Sequence, residues 1–263
     1  MDRTFQELRA RGERALVVYF MAGDPSLAET RRLVVEAERR GADVIELGVP
    51  FSDPLADGPV IQRAGVRALA AGTSLPRVLE MVSSLRAQVR VPLVLMSHYN
   101  PVLAFGLKAF ARTAVDAGAD GVIVPDLPYE ESAPLRAEAD PAGLDMVQLV
   151  APTSTPARVR MIARVSRGFV YLVSVTGVTG ARRELPKDLG AHVRTLRLVS
   201  TKPVCVGFGV STPEQVAAVG QIADGVAVGS AIVRAVEQHA GTAALVDKVG
   251  EFIGALKAPL RVS

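Results

Sequence analysis

Apolar runs of strand length recur along this chain, and each is followed by a segment whose apolar residues return every three or four positions. The first run, Ala15–Met21, ends at Gly23-Asp24-Pro25. Runs with little polar interruption and many branched aliphatics read as strands covered on both faces. Further strands are predicted over 44–49, 91–97, 121–125, 145–150, 169–174, 203–207 and 225–229. Helical spacing predicts a helix over 27–40, opened by Ser26 as cap and stopped by Gly41. Others begin at Pro59, near 74 and run to about 89, cover 107–117, and start at Tyr129, at Thr155-Pro156, at Pro186 and near Thr212-Pro213. Two more close the chain.

Eight strand-then-helix units with no second pattern predict one α/β domain over 1–263, a (β/α)8 TIM barrel with extra short helices. A weak repeat supports this: Gly41-Ala-Asp43, Gly118-Ala-Asp120, Gly143-Leu-Asp145 and Ala223-Asp224-Gly each pass from a helix end into a strand. Those aspartates read as punctuation on the face away from the chemistry. An open doubly wound sheet is the alternative, but the glycine-rich nucleotide fingerprint is absent after the first strand.

Composition narrows the classes. Hydrophobic residues make up 49% of 263 and tryptophan is missing, so the core must be aliphatic. The net charge of +3 comes from 30 basic and 27 acidic residues spread along the chain, with no basic block and interleaved aromatics, which argues against nucleic acid. The single cysteine, Cys205, precludes an intramolecular disulfide and a cysteine-based metal cluster, and reads as an inert buried thiol. With no signal-peptide pattern and no apolar run of about 18 residues, a cytoplasmic protein without membrane contact is expected.

In a barrel the chemistry lies at the C-terminal strand ends. There the chain carries Glu46-Leu-Gly-Val-Pro-Phe-Ser-Asp53-Pro-Leu-Ala-Asp57-Gly-Pro59, which passes from strand to loop to helix. A carboxylate inside an apolar strand is costly unless paired or protonated. Glu46 is either a structural acid bonded to backbone amides or a tuned general acid/base, and its place at the barrel mouth favours the second. Asp57 is a second candidate, or a turn residue; Asp53 fits a turn or a partner contact equally well.

Gly207-Phe208-Gly209 after the seventh strand and Gly229-Ser230 after the eighth bare backbone amides at a helix start, where phosphate usually sits in this fold. The loop after the sixth strand holds Gly177, Thr179 and Gly180, and reads as a lid or a plain flexible connection. Tyr19, His98 and Tyr171 fall near strand ends and are candidates for the pocket wall, whereas His192 and His239 fall in helices and read as surface. No spacing suggests a metal site, and no activated serine or cysteine appears.

The 46–59 stretch resembles the signature of the tryptophan synthase alpha chain family. Ala22-Gly-Asp-Pro25, Asn100-Pro101, Val124-Pro-Asp-Leu-Pro128, Gly177-Val-Thr-Gly180, Gly207-Phe-Gly209 and Gly229-Ser-Ala-Ile232 match in order, so the resemblance spans nearly the whole chain. It implies retro-aldol cleavage of indole-3-glycerol phosphate to indole and glyceraldehyde 3-phosphate. Glu46 matches the acid/base that protonates indole C3 and takes the glycerol hydroxyl proton; Asp57 matches the carboxylate facing the indole N–H. Thr179 and Gly180 match the closing loop. Phe208, Gly209, Gly229 and Ser230 match phosphate-binding positions, and Tyr19, Ile123, Val150 and Tyr171 match pocket-lining ones. His98 stands where a pocket tyrosine is common, and Val175 where an arginine is common.

The resemblance further implies a beta chain partner in an alpha2beta2 hetero-tetramer, facing Pro50, Asp53 and the loop after the second strand. Pyridoxal phosphate is expected only in that partner, with no cofactor and no metal in this chain. A stand-alone lyase that releases indole without a partner is the alternative, and a non-catalytic regulatory subunit is a third reading disfavoured by the two acids.

Overall fold

Strand β1 (Ala15–Met21) pairs with β2 (Val44–Gly48), and each later strand pairs with the next: β3 (Leu93–Met96), β4 (Gly121–Ile123), β5 (Asp145–Val150), β6 (Val170–Val173), β7 (Val204–Gly207) and β8 (Gly225–Val228). β8 pairs back to β1, every pairing is parallel, and the sheet is a closed eight-stranded barrel. The computed structural model describes residues 1–55, 57–173, 186, 188–207 and 209–261. Its helices, in chain order, are α1 (Asp2–Ala10), α2 (Leu27–Arg39), α3 (Pro59–Ala70), α4 (Leu75–Arg86), α5 (Tyr99–Phe105), α6 (Leu107–Asp116), α7 (Ala133–Ala142), α8 (Pro156–Val165), α9 (Leu189–Val199), α10 (Pro213–Gly220), α11 (Ser230–His239) and α12 (Leu245–Lys257).

The period of two along each strand sorts the side chains into two layers. Leu16, Val18 and Phe20 of β1 join the large core between strands and helices. Ala15 and Val17 join a second cluster inside the barrel with Val44, Val94, Ile123, Val147 and Cys205. That inner cluster is closed from below by Phe5 and Leu8 of α1, with the Phe5 and Phe169 rings 5.8 Å apart. The interior is therefore packed at its lower end, and open space is left to the strand C-terminal ends.

The punctuating aspartates tie the lower rim together, each reaching from the start of one strand to a backbone N–H of the strand before it. Asp43 accepts from Leu16 N–H at 2.7 Å, Asp120 from Leu93 N–H at 2.9 Å and Asp224 from Val204 N–H at 3.0 Å. Asp145 departs from this pattern. It lies on β5 itself, 3.7 Å from the amino terminus, while in the next strand pair a serine takes the aspartate's part: Gln148 N–H of β5 donates to Ser166 Oγ, ahead of β6, at 3.0 Å.

Ser26, Thr155 and Thr212 cap α2, α8 and α10 through their hydroxyls, and Pro59 is the first residue of α3, as the sequence predicts. Two helices are not predicted. α1 carries only two buried positions, Phe5 and Leu8, in nine residues. α5 is a seven-residue helix whose first amide, Tyr99 N–H, donates to the Asp126 carboxylate at 2.9 Å from the loop after β4. The helix expected from Tyr129 is instead a short 3-10 turn, Tyr129–Glu131, followed by α7. Among the described residues no helix is long and apolar enough to cross a membrane.

Candidate active site

Glu46 sits on β2 in register with Tyr19 on β1 and with Val94 on β3. Val44 two residues earlier belongs to the barrel interior, so Glu46 faces inward just above that packed layer. It is 1% exposed, and its Oε1 has no hydrogen-bond partner. Burial pushes its carboxyl up to about 8, so the group holds its proton at neutral pH. It does not take the structural role in which backbone amides would satisfy both oxygens.

The hydroxyls of Tyr19 and Tyr171 stand over glycines that make room for them. A Cβ on Gly48 would come within 2.0 Å of the Tyr19 hydroxyl, and one on Gly207 within 2.2 Å of the Tyr171 hydroxyl. Both phenols are pushed well above their usual range, first by burial and then by neighbouring carboxylates, and so stay protonated. Gly207 therefore serves the site by sparing space.

Asp57 reaches the same pocket from the loop after β2. Its N–H donates to the Pro54 carbonyl at 3.1 Å, and its own carbonyl accepts from Gln62 Nε2 of α3 at 2.8 Å. Its carboxyl is raised chiefly by burial; His98 draws it down and Asp126 pushes it up. Asp53 is exposed, bonded by its neighbour Ser52 at 2.5 Å, and is outside the pocket lining. Leu55 between them is 89% exposed.

The opposite wall comes from the last two strands. Gly209 has φ +104°, a conformation that side-chain-bearing residues rarely adopt. Gly229 is the N-cap of α11 and makes no side-chain cap bond, so the amides of the first turn remain available beside the buried Ser230. Glu46, Asp57, Tyr19, Tyr171, Gly209, Gly229 and Ser230 all line one cavity of about 530 Å³, counted out to its open mouth.

Other expected residues lie elsewhere. His98 is buried at the start of α5, its ring 5.4 Å from that of Phe51 and its Nε2 without a partner, and it is not among the residues that line the cavity. Ile123 is in the packed interior layer, and Val150 is in the layer between strands and helices; neither lines the cavity. Val147 faces inward on β5, so Val150, an odd number of positions on, faces out. Thr179, Gly180 and Phe208, with Val175 and Gly177, fall outside the described residues. Sequence reasoning missed Ile61, Met96 and Pro125, which do line the cavity. Met96 shares the parity of Val94, which only the closed barrel shows to face inward. Ile61 was masked by its place in a helix, where the Asp57 loop turns its first turn toward the barrel mouth. Among the described residues no group of three or more His, Cys, Asp or Glu is arranged to hold a metal ion.

The family model described as tryptophan synthase alpha chain matches residues 5–260. The tryptophan synthase alpha chain of Geobacter sp. strain M21 is 53% identical over 253 residues, covering 96% of this chain and 94% of that one. Among solved structures, the alpha subunit of tryptophan synthase from Legionella pneumophila strain Paris is 36% identical with a TM-score of 0.90, covering 98% of this chain and 97% of that one. A chain of Mycobacterium tuberculosis tryptophan synthase is 37% identical with a TM-score of 0.91, covering 99% and 98%.

Proposed function

This chain belongs to the tryptophan synthase alpha chain family, and from that premise we propose that Glu46 and Asp57 carry out its chemistry in the barrel-mouth cavity. The enzyme is a carbon–carbon lyase that cleaves indole-3-glycerol phosphate to indole and D-glyceraldehyde 3-phosphate, the indole going to a beta chain for tryptophan synthesis.

The bond to be broken joins indole C3 to the hydroxyl-bearing carbon of the glycerol chain. Glu46 starts protonated and delivers its proton to C3, which makes the ring a cationic indolenine. Asp57, ionised and facing the ring N–H, stabilises that cation. The Glu46 carboxylate then takes the hydroxyl proton, the C–C bond breaks, its electron pair returns to the ring and the aldehyde forms. One proton is given and one is regained, so the acid is restored each turnover. Gly209, Gly229 and Ser230 hold the phosphate with backbone amides and a hydroxyl at the α11 N-terminus. Tyr19 and Tyr171 flank the reacting acid. The roles of Phe208 in phosphate binding and of Thr179 and Gly180 in closure rest on the family resemblance alone.

The beta chain is expected to dock on the face that carries Asp53 and the protruding Leu55, in an alpha2beta2 assembly; Pro50, expected on that face, is instead buried just after β2. In this reading pyridoxal phosphate belongs to the beta chain, this chain uses no cofactor, and the protein is cytoplasmic.

The observation that carries these assignments is the buried carboxyl of Glu46, its Oε1 without a partner and proton-loaded at neutral pH, lining one cavity with Asp57 and with Gly229 and Ser230 at the start of α11. Indole release from indole-3-glycerol phosphate, followed with and without a beta chain for wild type and Asp57→Asn, tests the pair. A loss of about 10²-fold or more in kcat for Asp57→Asn supports it; a wild-type rate removes Asp57 from the mechanism. Strong stimulation by the beta chain supports the synthase assembly, and equal turnover without it favours a stand-alone lyase.

A further inference from the structure

We propose that Arg67, within an ion cluster formed with Asp24, Glu237 and Arg63, is a positioning residue that fixes the Asp57 loop relative to the phosphate-binding end of α11; this inference rests on the roles given above to Asp57 and Ser230.

The cluster joins three segments that each contribute to the barrel mouth. Arg67 of α3 grips Asp24, in the loop after β1, with two parallel bonds of 2.8 Å from Nε and Nη2. Its third nitrogen, Nη1, donates to Glu237 of α11 at 2.8 Å. Arg63, one turn earlier on α3, grips the same Glu237 with bonds of 2.9 and 2.8 Å. Two cations thus face two carboxylates, and Asp24 is only 3% exposed.

Both ends of the substrate are tied into this cluster. Glu237 lies seven residues beyond Ser230, nearly two helical turns along the same face, so α11 is a rod of about 10 Å between the phosphate amides and the clamp. At the other end α3 starts two residues after Asp57, and Gln62 in its first turn holds the Asp57 carbonyl. An apolar cluster of Tyr19, Met21, Ile61, Ala64 and Ala68 with Val233 already docks α3 on β1 and α11. Apolar contact attracts without fixing an angle, whereas bidentate Arg–carboxylate pairs set direction and register. A substrate held by its phosphate on α11 and by its ring N–H on Asp57 needs that distance fixed, and a 1 Å error costs about 10²-fold in rate.

The test is a kinetic double-mutant cycle on the full chain with its beta partner. Arg67→Met and Asp57→Asn are made singly and together, with Arg67→Lys as the conservative variant. The readouts are kcat and KM for indole-3-glycerol phosphate, and the Kd of glycerol 3-phosphate as a probe of the phosphate site alone. Arg67→Met is expected to lower kcat about 10- to 100-fold, to leave glycerol 3-phosphate binding within about threefold, and to have no further effect once Asp57 is Asn. Arg67→Lys keeps the charge but not the fork, and is expected to fall between. A lowered rate in Asp57→Asn with a fully additive Arg67→Met effect would overturn this inference and leave the role of Asp57 standing. Wild-type turnover in Asp57→Asn would overturn both. Should Arg67→Met fail to fold, Glu237→Gln breaks the link to α11 while keeping the Asp24 pair, and the same cycle applies.

Discussion

Tyr171 on β6 and Gly207 on β7 are matched in space: a single methyl group on Gly207 would lie 2.2 Å from the tyrosine hydroxyl and 2.7 Å from its ring. Neither backbone strain nor turn chemistry calls for a glycine here, since the residue lies in a strand without a positive φ. The glycine is there so that a phenol can lean across the neighbouring strand into the cavity. Gly207→Ala is therefore expected to push Tyr171 out of place, raise KM about tenfold and cost roughly 1–3 kcal/mol of stability by overpacking. Denaturant melts and steady-state kinetics check this. Combining Gly207→Ala with Tyr171→Phe should return part of the stability.

The raised pKa of Glu46 makes stability depend on pH. In the unfolded chain the group titrates near 4.5 and in the folded chain at about 8, so between these values the native state binds the extra proton. Stability then falls as pH rises through that window, by roughly 5 kcal/mol at most for the whole shift. Glu46→Gln cannot ionise. Its melting temperature should exceed that of wild type by a margin that widens from pH 5 to pH 9; a constant difference would mean that the carboxyl titrates normally. The cleavage rate of wild type should decline above about pH 8, as the acid loses its proton.

Ser230 opens α11 with its side chain buried against the cavity. Ser230→Asp places a negative charge where the substrate phosphate is expected. Binding of glycerol 3-phosphate should weaken by more than about tenfold, the loss shrinking at high salt as the repulsion is screened. Equal affinity in titration calorimetry would move the phosphate elsewhere.

On the lower rim, Asp43 accepts both the Leu16 N–H at 2.7 Å and the ammonium of Lys257 at 2.8 Å, and Lys257 is only 2% exposed. Asp43→Asn leaves that ammonium only the Glu13 carboxylate at 3.5 Å and the Arg14 carbonyl at 3.0 Å. Urea unfolding should show a loss of about 3 kcal/mol with kcat unaltered, because the rim lies at the end of the barrel away from the cavity. Adding Lys257→Met should restore much of the loss.

Much of this architecture was legible in the sequence because strands buried on both faces write themselves as unbroken aliphatic runs. β1 and β5 lie where those runs predict. The ends of the site were legible for a different reason: an acid in an apolar strand and glycines before a helix are chemically out of place unless used. What the sequence hides is parity. The run Met146-Val-Gln-Leu-Val150 has apolar residues on both faces, so closure of the barrel, not the pattern, decides that Val147 faces inward and Val150 outward. Short elements are hidden as well. α1 has too few apolar positions to show a period, and α5 is held by a carboxylate from a distant loop. Asp145 repeats the motif of Asp43 and Asp120, yet it lies on β5 and faces the amino terminus, and the tie between β5 and β6 comes from Ser166, a serine the repeat does not mark.

The central claim is that Glu46 moves the proton at indole C3, and the kcat of Glu46→Gln at neutral pH, measured beside the affinity for glycerol 3-phosphate, tests it most directly. A fall of about 10²- to 10⁴-fold in kcat with that affinity unchanged is expected; a wild-type kcat would remove Glu46 from the proton transfer.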